Sequence, residues 1–375
     1  MLDFGPGGYA PVRVGTSDTH MANVELVNCF PPPTAIWRYG HVVKAALGRD
    51  ARLATVCLGG FDFVNSSQTV GDLYGNWTTA RRIRSVVNYS CTSIVLRGLS
   101  ARLRDSARNG AVLHYLAEEI PPWVDASRTF VTIHGNPMAT IRTRQYYSFG
   151  STYRIAVSMN LRRYASTAHA IVQSRYVEQG LREFGYDGPI SVVPPAVDPL
   201  FLDARDRNEA RARFGFDPED IVILSVSTAE RRKNLTVIPK VMRELPSRFK
   251  LVRVGPPVPL ARTLRILSES DLAELYRASD VLLFPTLEEG FGLPVIEAFA
   301  SQLPVVTSDI PVMREVAGEA AILVSPTDPR QLADACKLAV DSSSALAARG
   351  TSRLPNFSLD RLRTGLNAVY SGRSS

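Results

Sequence analysis

Cysteine, lysine and long apolar runs are all scarce in this chain. The four cysteines (Cys29, Cys57, Cys91 and Cys336) are scattered over 375 residues with no C-x-x-C pair. That excludes a disulfide framework and a thiolate zinc site, and it fits a reducing cytoplasm. No stretch approaches the roughly 20 apolar residues of a membrane-spanning helix. The opening MLDFGPGGYAPVRVG has no charged segment followed by an apolar one, so no secretory signal is expected. A phosphate loop of the G-x-x-x-x-G-K-[ST] type, H-E-x-x-H, G-x-S-x-G and D-x-D are missing as well. Zinc-finger spacing, an RNP-like aromatic run and bZIP heptads are also absent. A pI near 9.3 therefore stands without a nucleic-acid-binding module to use it.

What is present is an ordinary soluble balance, 45% hydrophobic and 21% charged, in a chain too long for one hydrophobic core. Two domains are expected. The net charge of +7 is unevenly placed: residues 1–197 hold 20 Lys+Arg against 13 Asp+Glu, and residues 198–375 hold 23 of each. Only five of the 43 basic residues are lysines, so a lysine at a chemically suggestive position stands out.

Residues 1–21, rich in Gly, Pro, Ser and Thr, read as a poorly ordered extension. Beyond them, short apolar runs at 24–30, 52–58, 111–116, 130–134, 170–173 and 190–193 read as strands separated by helix-length amphipathic segments. The proline-rich stretch 194–199 (PPAVDP) breaks the rhythm and is the linker candidate. Strands then follow at 221–226, 250–254, 281–284, 304–307 and 321–324, and helices at 235–244, 271–278, 294–300 and 359–370. Strands alternating with helices predict two α/β halves of doubly wound type, each with a parallel sheet and a ligand at the strands' carboxyl ends.

The most informative segment is 281–300, VLLFPTLEEGFGLPVIEAFA. A buried strand runs into a Glu-Glu-Gly-Phe-Gly loop, and a helix opens near Pro294. Gly290 and Gly292 let backbone N–H groups approach an anion at the helix N-terminus. Glu297 is placed in the first helical turn, with Glu289 on the loop facing the same site. Carboxylates accept from hydroxyls and backbone N–H groups hold phosphate, so a phosphate flanked by hydroxyls fits the pattern. As a lone feature, the same residues would be a turn and a helix-dipole carboxylate. The cluster Asp217-Pro218-Glu219-Asp220, the nearest thing to a metal site, reads as a solvated turn.

With Glu289 and Glu297 eight residues apart around GFGLP, the segment resembles the E-x7-E signature of retaining GT-B glycosyltransferases of family 4, the glycosyl transferases group 1. The stretch 225–235 (SVSTAERRKNL) resembles that family's strand-loop-helix element, with Arg232 and Lys233 at its basic pair. Many relatives carry a further arginine about six residues before the lysine, where this chain has Ser227; the second cation is then Arg232 or Arg231. FVTIHG at 130–135 resembles the family strand ending in a histidine, His134. The stretch 191–198 (SVVPPAVD) resembles the interdomain element, with Pro195-Ala196 in place of Asn-Gly. Residues 31–40 lack the Gly-Gly pair of the family's first loop, and 251–275 leaves little room for a helix.

The resemblance implies a GT-B fold, two Rossmann-like domains facing a cleft. It divides the chain into an acceptor-side domain (22–197), a nucleotide-sugar domain (198–356) and a helix (357–375) crossing back. It implies a retaining, metal-independent hexosyl transfer with no cofactor. The donor is a nucleoside-diphosphate sugar, GDP-mannose or a UDP-sugar, and the acceptor a glycan or lipid-linked molecule. Glu289 would orient the donor sugar and Glu297 hold the ribose. Gly290, Phe291, Gly292 and Leu293 would offer backbone N–H groups, Arg232 and Lys233 would stabilise the diphosphate, and His134 would contact the donor. The leaving phosphate would take the acceptor proton. A sugar-nucleotide epimerase of the same fold and a basic nucleic-acid-binding protein are the alternatives.

The charge asymmetry points to the acceptor. Residues 77–108 carry seven arginines against Asp105 alone, and 126–177 carry seven more with no acid. An amphipathic basic helix ending near Gly98 is expected, with Arg97, Arg102, Arg104 and Arg108 as an acceptor or membrane surface. That surface would place a cytoplasmic protein peripherally on an anionic inner leaflet. The bland reading is a solvated helix face.

Overall fold

The computed structural model describes residues 23–28, 35–55, 103–118, 128–142, 158–203 without 163, 166 and 167, and 206–372 without 265 and 266. The extension 1–21, Cys29, Cys57, Cys91, and residues 77–102 with Arg97 and Arg102 lie outside these.

Two six-stranded parallel sheets carry the fold. The first contains β1 (Val24–Asn28), β2 (Ala51–Thr55), β3 (Val112–Tyr115), β4 (Thr129–Ile133), β5 (His169–Val172) and β6 (Ile190–Val192) in the order β2-β1-β3-β4-β5-β6. The second contains β7 (Ile221–Val226), β8 (Phe249–Val254), β9 (Ala261–Leu264), β10 (Val281–Phe284), β11 (Val305–Ser308) and β12 (Ile322–Val324) in the order β12-β11-β10-β7-β8-β9. Crossover helices cover both faces of a parallel sheet, so its inner strands need apolar side chains in both directions. VLLF of β10 is accordingly buried at every position, whereas the edge strand β9 is only partly covered. Strand order reverses between β7 and β10, and between β1 and β3. At such switch points neighbouring loops diverge and leave a crevice outside the carboxyl ends.

Two α/β halves of doubly wound type are thus what the chain adopts. β7, β10 and the helix Leu359–Tyr370 coincide with their sequence-based limits. β11 begins at Val305 rather than 304, since Pro304 has no N–H to give to a ladder. The helix expected at 235–244 shrinks to Ile238–Arg243: Asn234 turns the backbone left-handed (φ 54°), and residues 235–237 form a turn before the helix begins. Between Val254 and Leu272, where little room for a helix is expected, the chain lays down β9 against β8. Pro256, Pro257 and Pro259 deny that crossover the N–H groups a helix needs.

The terminal helix Leu359–Tyr370 packs against the first sheet. Leu362, Leu366, Val369 and Tyr370 share a core with Val24, Leu26, Tyr39 and Val43 of the first sheet and its first helix, Ala35–Leu47. Tyr370 Oη lies 2.7 Å from Nδ1 of the fully buried His114, whose pKa burial lowers to about 3, with His134 adding to the shift. Where the chain first leaves the first sheet, the Val197 N–H donates to the Phe357 carbonyl at 2.9 Å, so the two interdomain crossings run side by side.

Candidate functional site

The site grows from the β7 and β10 loops at the second sheet's switch point. Arg231–Lys233 forms a single 3-10 turn that Asn234 terminates. The Asn234 side-chain amide donates to the carbonyls of Pro285 (3.1 Å) and Pro326 (2.7 Å). The Arg232 carbonyl accepts from Leu287 N (2.7 Å) and Thr286 Oγ1 (3.0 Å). The two loops are therefore stitched together through backbone groups, and the side chains they carry converge.

Glu289 is the centre of that convergence. Its Oε1 takes Lys233 Nζ and Thr286 Oγ1, and its Oε2 takes Arg232 at 3.0 Å. Arg232 also pairs with Glu230. Lys233 sits over the Phe284 ring at 5.5 Å. Burial works against a charged Glu289, yet Lys233 and Arg232 outweigh it and hold the carboxyl below its ordinary range. Burial, and then the neighbouring Arg232, lowers the pKa of Lys233. Of the two arginines the sequence leaves open, Arg232 joins this cluster, while Arg231 is exposed.

Gly290 and Gly292 are small for reasons the structure makes specific. A Cβ at Gly290 would lie 1.6 Å from the His134 carbonyl oxygen, so this loop touches the first domain through bare backbone. Gly292, at φ +102°, precedes the helix Leu293–Ala300, and its Cβ would meet Met313 at 2.7 Å. Ser174 Oγ donates to the Gly290 carbonyl at 2.7 Å. The Glu315 carboxylate accepts the first two N–H groups of the helix Arg175–Glu183, from Arg175 (2.8 Å) and Tyr176 (3.1 Å). Carboxylates are favoured at that helix end. The two domains thus meet through named polar contacts around the candidate loop.

Glu297 requires a correction. The helix starts at Leu293, which puts Glu297 in its second turn rather than its first. Its carboxylate is buried and engaged: Arg38 donates to Oε1 at 2.7 Å, and Tyr276 Oη donates to Oε2 at 2.8 Å. Arg38 comes from the first domain and also lies 3.6 Å from Glu269. Burial opposes its charge, but Glu297 and Glu269 raise its pKa above the ordinary arginine value. Glu289 and Glu297 therefore anchor two separate cation clusters. Oε2 of Glu289 and both oxygens of Glu297 keep a second lone-pair direction for a hydroxyl, whereas Oε1 of Glu289 already accepts twice. Arg38, Glu297, Leu293 and Asp198 line one small interdomain pocket. Removing one partner of a buried pair strands the other, so Arg38→Ala should cost about 3–5 kcal/mol of stability. Urea unfolding would show it, and an unchanged midpoint would contradict it.

Beside Glu289 lies Glu288, a carboxyl to which the E-x7-E pattern gives no role. Tyr176 Oη, from the first domain, donates to its Oε2 at 2.8 Å, while Oε1 is buried with no hydrogen-bond partner among the described residues. Burial pushes its pKa up to about 7, with Glu289 adding to the rise and the Tyr176 bond and Arg232 opposing it. The folded state thus binds this proton more tightly than the unfolded chain. Its stabilising contribution is complete at acid pH and is lost as pH rises through about 7. The melting temperature should fall more between pH 6 and pH 8 for the wild type than for Glu288→Gln. Parallel pH profiles would contradict the assignment.

The remaining candidates are placed as follows. His134 ends the first-sheet crevice, with Nε2 2.7 Å from the Leu116 carbonyl and its ring edge-on to Tyr39 at 5.3 Å. The Phe291 ring is core, packed on Phe357 at 5.7 Å, so only its backbone can face a ligand. Arg104 and Arg108 are exposed on a helix at 103–108. The carbonyls of Asp217 and Asp220 accept from Arg211 Nη2, each at 2.8 Å. Among the described residues no group of His, Cys, Asp or Glu is arranged to hold a metal ion, and no helix is long and apolar enough to cross a membrane. Arg38 and Tyr176 had no local sequence signal, because each reaches the site from a distant part of the chain, and Tyr276 read only as part of a helix 21 residues before Glu297.

Comparisons with known proteins bear on the family and the fold. Residues 220–342 match the family model described as glycosyl transferases group 1. The chain is 30% identical over 211 residues to the D-inositol 3-phosphate glycosyltransferase of Rhodococcus erythropolis, covering 48% of each protein. It is 43% identical over 74 residues to the O-antigen chain mannosyltransferase RfbU of Salmonella typhimurium, covering 20% of this chain and 21% of that one. The chain thus spans about half the length, or less, of these curated relatives. Among solved structures, sucrose-phosphate synthase from Thermosynechococcus elongatus superposes with a TM-score of 0.70 at 18% identity, over 93% of this chain and 98% of that one. HepE from Anabaena, in complex with UDP and glucose, superposes with a TM-score of 0.68 at 13% identity, over 93% and 99%. At such identities the likeness establishes the fold.

Proposed function

We propose that this chain, whose residues 220–342 belong to the glycosyl transferases group 1 family and whose fold is GT-B, moves a hexose from a nucleoside-diphosphate sugar to a hydroxyl acceptor with retention. One observation carries the reading: the convergence of Glu289, Lys233 and Arg232 at the switch point, against the backbone of His134. A leaving diphosphate needs fixed positive charge where its own charge develops, and Lys233 and Arg232 are held there in advance. The bond from the anomeric carbon to the diphosphate oxygen breaks, and its electron pair leaves with the nucleotide. The acceptor oxygen bonds to that carbon, and the leaving phosphate takes its proton. Glu289 orients the sugar hydroxyls, and the free lone pairs of Glu297 receive the ribose.

GDP-mannose and UDP-glucose are the donors to try first, given relatives named as mannosyltransferases and a fold neighbour holding UDP and glucose. Incubation with a panel of sugar nucleotides, with and without acceptor, tests the reading. Donor cleavage and a glycosylated product support it. An isomerised free donor would mean an epimerase, and salt-sensitive nucleic-acid binding without either would reject it.

The acceptor reading follows the arginines. Exposed Arg104 and Arg108 continue a run with Arg97 and Arg102, and a basic residue near an anionic surface is worth about 1 kcal/mol. Replacing these four by Glu should release the protein from anionic vesicles in a flotation assay. Wild-type protein that ignores such vesicles at low salt would make the acceptor a soluble one.

A further inference from the structure

The cations of the Glu289 cluster are already matched. Arg232 and Lys233 face Glu230 and Glu289, so the four side chains sum to no net charge. The strand ends add a second difficulty for an anion. The carbonyl oxygens of Ser225, Val254 and Ser227, gathered at the ends of β7 and β8, present negative partial charge there. Something must offset both.

Arg253, on β8, is placed to do so. It is fully buried and has no carboxylate within ion-pair distance among the described residues. Its Nη1 donates to the carbonyls of Ser225 and Val254, each at 2.8 Å. Its Nη2 donates to the Ser227 carbonyl and, at 3.0 Å, to Ser227 Oγ. Nε is buried with no hydrogen-bond partner among the described residues. The guanidinium therefore caps carbonyls at the ends of β7 and β8 and braces the first residue of the loop that carries Arg232 and Lys233. Gly255, at φ +122°, makes room for this: a Cβ there would stand 2.2 Å from the Ser227 carbonyl oxygen and 3.1 Å from Arg253 Nη2.

We infer that Arg253 is a positioning residue for an anionic ligand, supplying the unmatched positive charge beneath the β7 loop that lets a diphosphate settle on Arg232 and Lys233. The inference rests on the proposed function and adds to it a residue no sequence motif marks. Burial lowers the Arg253 pKa to about 10, which leaves it charged at neutral pH. Enclosure keeps water from screening it, so one such charge acts over a longer range than an exposed one. Arg231, by contrast, is open to solvent.

The test is a titration of wild type, Arg253→Met and Arg253→Lys with UDP, GDP and inorganic pyrophosphate, with uridine and guanosine followed by competition. Arg253→Met should weaken diphosphate binding about tenfold or more, the scale of one charge-assisted interaction, and leave the nucleoside nearly unaffected. Arg253→Lys should lose diphosphate affinity at a lower pH than the wild type, because a buried ammonium releases its proton earlier than a guanidinium, while Lys233 titrates alike in both proteins. That pH profile decides the matter even where Arg253→Met folds poorly. Equal loss of nucleoside and diphosphate, or an Arg253→Lys profile matching that of the wild type, would reduce Arg253 to a loop brace and overturn the inference. Wild-type protein that binds no diphosphate would overturn the proposed function with it, whereas normal wild-type binding and an unaffected Arg253→Met would sink the inference alone.

Discussion

Lys233→Ala is expected to lower turnover at least about a hundredfold, the scale of a lost charge-stabilising donor in the transition state, roughly 2.7–4 kcal/mol. Its Nζ is fixed against Glu289 and over the Phe284 ring, in a turn whose position is set by backbone bonds to the β10 loop. Little reorganisation is left to do when charge develops on a departing diphosphate. Lys240 provides the control: it is exposed on the helix Ile238–Arg243, one loop away, and its replacement by alanine should change little. Steady-state kinetics with the donor identified in the panel checks the pair. Equal effects at the two lysines would make Lys233 a structural charge.

Glu289→Ala is expected to lower kcat by about two orders of magnitude without weakening donor binding. The carboxylate does two things that its removal separates. It holds Lys233 and Arg232 as a counter-charge, and it accepts hydroxyls of the donor sugar. Without it the two cations stand side by side with less to neutralise them, so an anionic diphosphate binds as well or better. The sugar, however, loses the group that orients its reacting carbon. The split between kcat and Kd identifies the role. A raised Kd with unchanged kcat would mean that Glu289 is only a binding contact.

Much of this architecture was legible in the sequence because inner strands of parallel sheets are short apolar runs bounded by Gly and Pro. β7 and β10 are such apolar runs, although Asp220 and Ser227 rather than Gly or Pro flank β7, and the terminal helix was legible from its own amphipathic period. Edge strand β9 was not legible: ARTL buries little, and its pairing depends on β8 rather than on its own composition. The helix Pro329–Asp341 did carry its signal, an Asp328 cap with proline at the first helical position, but Ser343–Arg353 follows with only Ser342 between them, and no break in composition separates the two.

The site divides in the same way. Glu289, Lys233 and Arg232 sit in compact local patterns, and the fold brings them together. Arg38 approaches Glu297 across 259 residues of chain, and Tyr176 approaches Glu288 across 112. Such partners depend on how the two domains close, which no local pattern encodes. Gly290 is intermediate: its smallness was visible, while its cause, the His134 carbonyl 1.6 Å from where a Cβ would stand, belongs to the tertiary structure.

The central claim is that the crevice between the β7 and β10 loops receives the diphosphate of a nucleotide sugar. A crystal of the protein soaked with a sugar nucleotide it cleaves tests this most directly. The account predicts diphosphate density within hydrogen-bonding distance of Lys233 and Arg232, with the sugar hydroxyls on Glu289 and the ribose toward Glu297. Density seated elsewhere, for example in the groove between Arg207 and the helix Ser343–Arg353, with the Glu289 cluster undisturbed, would contradict it.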